Sequence, residues 1–287
     1  MGDTLKPQST VRLETIDEAV QALRSNVNLD LPTLPEVVAQ LVKLTTDVDC
    51  NICDVAPLIK LDQSLADHLL RMANSVRYNR GVTISTLEQA VVRLGLLAVR
   101  DIVVMISCKC RVYVVPEFES HVRQSFRHSL ATAAFSQEIA RTCRVQLKDA
   151  FLIGLLHDIG RPILLRALTD LVKTHGLPAA ENDILQAASE YRIPFAVRLI
   201  GSWGLSDSVT EAVQYQLSPL EAPACALQAA SLNLAMELAD GVLRPNATPR
   251  SVDEPHPMLE PLKLVPEQVS MIKDSNYQIL EWVESSA

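Results

Sequence analysis

FLIGLLHDIGRPIL, residues 151–164, is the most apolar run of the chain, and it holds one adjacent pair of ionisable residues, His157 and Asp158. A run of this kind reads as a buried helix with the pair inside it. A carboxylate taken out of water without a partner costs several kcal/mol. Asp158 therefore needs compensation, and two sources are chemically open. A divalent metal could be held by the pair, or the pair could be kept as a hydrogen-bonded feature of the core.

Outward from this run the sequence reads as helix after helix. Thr15 caps TIDEAVQALRSN (15–26), with acidic residues in the first turn and apolar spacing at Ile16, Val20 and Leu23. In LPTLPEVVAQLVKLTTD (31–47), Thr33 precedes Pro35, which suits a first helical turn. Asp62 separates two short helical stretches, and SVRYNRGVTI is the first clear loop. Ser85 and Glu88 have capping-box spacing, and Gly95 breaks the apolar segment that follows. Pro116 opens a long helix, and after Pro162 come NDILQAASEY, PFAVRLIGSWG, SDSVTEAVQYQ and APACALQAASLNLAMELADGVL. Pro245, Pro249, Pro255, Pro257 and Pro261 mark a linker or surface loop before a last amphipathic helix. No segment reads as a strand. The expectation is an all-α unit, with two packed halves meeting near residues 112–118.

Composition narrows the function. Apolar residues make up 48% of the 287, enough for a large core, but aromatics only 4%, so Leu, Val, Ala and Ile must fill it. The net charge of -8 argues against nucleic acid as a partner. No apolar run reaches the roughly 18–20 residues that cross a bilayer. The N-terminus lacks an apolar signal core, and Lys6 stands where a myristoylation motif wants Ser or Thr. The expectation is a cytoplasmic protein with no membrane contact. Cys50–Cys53 and Cys108–Cys110 are too unlike paired zinc knuckles, so these thiols and Cys143 and Cys225 are read as packing material.

Ionisable residues on other apolar segments add to the pair: His128 in FRHSLATAAF and Asp240 in AMELADGVL. Imidazole nitrogens and carboxylate oxygens suit a borderline divalent cation, so His128, His157, Asp158 and Asp240 form a sensible ligand set. A bound metal would supply a nucleophile for phosphoester hydrolysis. Each residue alone is more ordinary: a core histidine, or a solvated acid near a helix end.

The order His128, His157-Asp158, Asp240 resembles the ligand order of HD-superfamily metal phosphohydrolases. LPTLPEVVAQLVKL, LIKLDQSLADHLLRMANSVRYN, ISTLEQAVVRLGLLAVRDIVV, RHSLATAAFSQEIA and GSWGLSDSVTEAVQYQ resemble one branch, the HD-related output domain (HDOD). The resemblance implies a helical N-terminal lobe, about residues 28–115, packed on an HD-like helical lobe, about 116–243. Residues 1–27 would be an N-terminal extension with its helix, and 244–287 the Pro-rich loop and C-terminal helix. It also implies a bacterial signalling and regulatory module.

Departures from the catalytic pattern bear on activity. The lysine of the hydrolases' HDxGK is Arg161 here, one later histidine position falls on Arg192, and a His-His position falls on Gln216-Leu217. No histidine lies between His175 and His256. A two-metal centre is thereby disfavoured, and a single divalent ion on the four residues stays open as the one cofactor. The first expectation is a signalling module that binds a protein or small ligand without catalysis, with no catalytic residue. Its partner would be a separate signalling protein acting in trans. The loop residues Asn74, Arg77, Tyr78 and Arg80 are its candidate interaction surface, the plainer reading being that Asn74 caps a helix end. The alternative is a metal-dependent phosphohydrolase of nucleotides or cyclic dinucleotides, with Arg127 and Arg161 gripping phosphate. Trp203 and Trp282 are the aromatic candidates for an interface.

Overall fold

Local chemistry sets most helix ends. The computed structural model describes residues 13–26, 30–46, 54–75, 77–78, 81–143, 147–244 and 256–287. Among them are fourteen α-helices and no strand, as the periodicity predicts. In α1 (Ile16–Ser25) the Thr15 hydroxyl accepts from the Glu18 amide, and Val20 and Leu23 are buried. The helices α2 (Glu36–Thr46), α3 (Val55–Ile59), α4 (Gln63–Ala73), α5 (Leu87–Leu94) and α6 (Leu96–Ser107) form the N-terminal lobe. The capping box of α5 lies one residue later than the sequence suggests: Thr86 and Gln89 form it. Glu88 pairs with Lys60 instead, and the Ser85 amide and hydroxyl both donate to Gln89 Oε1. Gly95 separates α5 from α6 at φ 79°, a backbone conformation that residues with a Cβ rarely adopt.

A π-turn (Cys108–Val112) and a single 3-10 turn (Pro116–Phe118) lead into the second lobe. It contains α7 (Glu119–Thr142), α8 (Ala150–Leu156), α9 (Gly160–His175), α10 (Glu181–Ser202), α11 (Asp207–Gln214) and α12 (Ala226–Leu243). Here α7 packs on α8 and α12, α9 packs on α10, and α1 joins the α9–α10 side. Although Pro194 divides NDILQAASEY from PFAVRLIGSWG in sequence, α10 runs through it as one helix. One contiguous apolar core extends from Leu13 through both lobes to Val283. The closing helices α13 (Pro266–Asp274) and α14 (Asn276–Ser286) pack on α7. Cys108, Cys110, Cys143 and Cys225 are free thiols, while Cys50 and Cys53 lie outside the described residues.

The opening run is not one helix. His157 and Asp158 occupy a turn between α8 and α9. The dihedrals stay helical there, but the backbone bonds tighten to i→i+3: Ile159 N to Leu156 O and Arg161 N to Asp158 O. Pro162 has no N–H to give the Asp158 carbonyl, so the regular ladder cannot continue through the pair. Glycines on either side bring this turn close to its neighbours. A Cβ on Gly154 would lie 2.6 Å from Ala133 Cα on α7, and one on Gly160 only 1.9 Å from the Arg192 carbonyl oxygen on α10.

Gly160→Ala tests that constraint. Alanine favours a helix over glycine by ~1 kcal/mol, but backbone overlap in a packed interior costs ~3 kcal/mol or more. Urea unfolding should show net destabilisation of the variant. An unchanged or raised midpoint would mean that α9 and α10 are not held at this separation.

Candidate functional site

Four helices converge on the turn that holds the His-Asp pair. From α7 come Ser125 and His128, one helical turn apart and so on one face; α9 supplies Arg161, α10 Arg192, and α12 Asp240, with Arg244 just beyond its end. These side chains line a half-open cavity of about 220 Å³ together with His157 and Asp158.

Asp158 is the centre of the arrangement, only 4% exposed. Its Oδ2 accepts from Ser125 Oγ at 2.6 Å and from Arg161 Nε at 2.8 Å. Arg192 Nε lies 3.0 Å from Oδ1 as an ion pair, but its N–H is not aimed at that oxygen, which therefore accepts no aligned hydrogen bond. Burial acts to raise the Asp158 pKa, but the Arg161 charge, His157 and the bonds from Arg161 and Ser125 outweigh it and hold the carboxyl below the ordinary range. Removing either arginine leaves a buried charge undercompensated.

His157 is neutral at physiological pH. Burial, then the neighbouring His128, pushes its pKa down to about 4. Nδ1 lies 2.7 Å from the Gly154 carbonyl, which can only accept, so Nδ1 carries the proton and Nε2 is left as an acceptor. The backbone carbonyl of His157 is fixed by the buried Gln216 amide at 3.1 Å. Gln216 thus does a positional task at the point where the hydrolases' pattern has histidine. His128 and His157 have ring centroids 5.3 Å apart, and His128 Nε2 is 3.4 Å from Asp240 Oδ1. That contact with His128 leads the causes that hold the Asp240 carboxyl below its usual range. Arg244 faces the same oxygen at 3.6 Å.

The structure thus brings His128, His157, Asp158, Asp240 and Arg161 together. Sequence reading placed Arg192 only as a departure from a pattern, and did not find Ser125 or Arg244. The i−3 spacing of Ser125 from His128 was the available signal for the serine.

The four residues do not fit a divalent ion in this arrangement. Asp158 is already neutralised by two guanidinium groups, and a dication on its free lone pair would be repelled by each of them by several kcal/mol.

Arg127 does not belong to the cavity. It is next to His128 on α7, so it points about 100° away, and it pairs with Glu284 of α14. Three of the candidate interaction residues, Asn74, Arg77 and Tyr78, also turn inward. Asn74 donates to the carbonyls of Leu70 and Ile84 and accepts from the Ile84 amide, which pins the loop to the end of α4. Arg77 donates to Gln137 Oε1 at 2.7 Å and stacks 5.3 Å from the Trp282 ring centroid. Tyr78 packs partly against the core, and its pKa is raised by burial. Arg80 lies outside the described residues. Trp282 is fully buried and Trp203 nearly so, with its indole N–H bonded to the Pro32 carbonyl, so neither offers an exposed anchor.

Comparison with known proteins agrees with this fold. The model of the HDOD domain family matches residues 31–219. A crystal structure from Shewanella amazonensis, provisionally named a metal-dependent phosphohydrolase, superposes with a TM-score of 0.69 at 20% identity, covering 93% of this chain and 96% of that one. An HDOD domain protein of unknown function from Geobacter sulfurreducens also gives 0.69 at 20% identity, covering 94% and 97%. An uncharacterized protein of Treponema pallidum is 22% identical over 236 residues, 78% of this chain. The match spans 45% of that protein's length. No helix among the described residues is long and apolar enough to cross a membrane.

The neutral His157 has a measurable consequence. In the unfolded chain it takes a proton near pH 6.5, in the folded protein only near 4. Acidification through that window favours the unfolded state by up to ~3 kcal/mol. Asp101, pushed up to about 6 chiefly by burial, works in the opposite sense below pH 6. The comparison of wild type with His157→Asn isolates the histidine. Wild type should lose more stability than the variant between pH 7 and pH 4.5 in thermal melts. Parallel profiles would mean that His157 is not held neutral.

Proposed function

The chain belongs to the HDOD family, and we propose that it is a regulatory module of bacterial signalling that acts by binding, not by hydrolysis. One observation carries this reading. Asp158, the acid of the His-Asp pair, is bound to Arg161, Arg192 and Ser125. A carboxylate neutralised in this way is a poor metal ligand, and without a metal the cavity lacks the metal-bound water that hydrolysis of a phosphoester would use. The substitutions act in concert: Arg161 stands where the hydrolases' pattern has lysine, Arg192 where it has histidine, and Gln216 at another histidine position. The buried pair then serves to fix α7, α9 and α10 around the cavity. The output of such a module is a contact with a separate signalling protein, altered by what the cavity holds.

The test is elemental analysis of protein purified without chelator, followed by phosphomonoesterase and phosphodiesterase assays with added Mn²⁺. The expected result is metal far below one equivalent and no hydrolysis above a protein-free blank. Near-stoichiometric manganese, iron or zinc that is lost in folded His128→Ala, together with metal-dependent turnover, would establish a phosphohydrolase and overturn the reading.

A further inference from the structure

We propose that the cavity above Asp158 is a metal-independent binding site for a hydrogen-phosphate group, either free phosphate or the terminal phosphate of a small molecule. The inference deepens the non-hydrolytic reading and rests on it, because it takes the arginines as ligand-binding groups in place of a metal.

The charge balance favours an anion. Arg161, Arg192 and Arg244 line the cavity against two carboxylates, Asp158 and Asp240. Both carboxylates are already paired with these arginines. The donor geometry points the same way. Arg161 and Arg192 meet Asp158 through Nε, the inner edge of each guanidinium. Arg192 also gives one terminal N–H to the Ser189 carbonyl. Among the described residues, no protein acceptor takes the terminal nitrogens of Arg161 or Nη2 of Arg192. These are the groups that bind a tetrahedral oxyanion in a fork. Asp158 anchors them, so little side-chain freedom remains to be lost on binding.

An acceptor in the same cavity selects among anions. His157 lines the cavity and, with its proton on Nδ1, keeps a lone pair on Nε2. It can accept a hydrogen bond from a ligand O–H. Hydrogen phosphate carries that O–H at neutral pH; a phosphomonoester, whose second pKa is about 6, carries it only in its monoanion, the minor form there. Sulfate and phosphodiesters carry none. Size limits the ligand as well. A cavity of about 220 Å³ falls below the ~300 Å³ lower end of sites that enclose a drug-sized molecule. It holds a phosphate head while the rest of a larger ligand stays in the opening.

Isothermal titration in the presence of EDTA tests the site, with inorganic phosphate, sulfate and a nucleoside 5′-monophosphate as probes. One phosphate should bind per chain, with sulfate at least about tenfold weaker, since a charge-assisted hydrogen bond is worth about that factor. Arg192→Gln and Arg244→Gln should each weaken phosphate about tenfold. Arg244 is half exposed and does not touch Asp158, so its variant tests the site even if Arg192→Gln fails to fold. Tighter binding of the nucleotide than of phosphate would support the site and assign it to a terminal phosphate. Equal binding would support it as a site for free phosphate. No binding, or binding in which sulfate equals phosphate and neither variant matters, would overturn the proposal and leave the non-hydrolytic reading standing. Phosphate binding that appears only when EDTA is replaced by Mn²⁺ would overturn both.

Discussion

A carboxylate that keeps its charge inside a protein must be surrounded by donors, and Asp158 imposes that requirement on the second lobe. Its partners come from three different helices: Ser125 from α7, Arg161 from α9 and Arg192 from α10. Each contact is short, so the three helices cannot shift far without exposing a buried charge. The backbone supports the same geometry. Gly160 lets α9 meet the carbonyl of Arg192 on α10, and Gly154 lets α8 meet α7. Pro162 breaks the helical ladder at the one place where the pair has to turn toward its partners. The cavity follows from this packing, since its walls are the faces of helices that Asp158 holds apart and together.

A second buried ionic group ties the lobes to each other. Arg100 on α6 reaches Asp101 Oδ1 at 2.7 Å and Asp149 Oδ1 at 2.9 Å. Asp149 precedes α8 with a left-handed φ of 57°, an uncommon conformation outside glycine. Its other oxygen accepts from Ser206 ahead of α11 at 2.8 Å. On another face, α14 spans the junction. Trp282 meets Phe151 of α8 and Arg77 of the N-terminal lobe, and Lys109 donates to the carbonyls of Ser286 and Ala287. The shared apolar core and these polar links make the lobes one packed body, and Arg77, read as part of a candidate interaction loop, belongs to the fastening.

Much of this organisation was legible along the chain. Helix positions followed from apolar spacing and from the Thr15 cap; Asp62, read as a turn between two helices, is also the cap of α4, its side chain accepting from the Leu65 amide. Gly95 was legible as a break because its role is local. The family was legible because its motifs are spread over most of the chain. What failed were the readings that needed a direction in space. Arg127 was grouped with His128 because they are adjacent, yet adjacency on a helix separates side chains by a quarter turn or more. Arg77 and Tyr78 looked free because the elements that cover them, α7 and α14, are distant in sequence.

By itself, the sequence determined an all-helical chain and a His-Asp pair that had to be compensated. It left open whether a metal or protein groups supply that compensation. The tertiary structure placed Arg192, 34 positions beyond Asp158, at 3.0 Å from its carboxylate and put Arg161 on the other oxygen. The reason is physical: helix formation depends on neighbours within one or two turns, which spacing records. The charge state and ligand chemistry of a buried site depend on distances between helices, which only packing fixes.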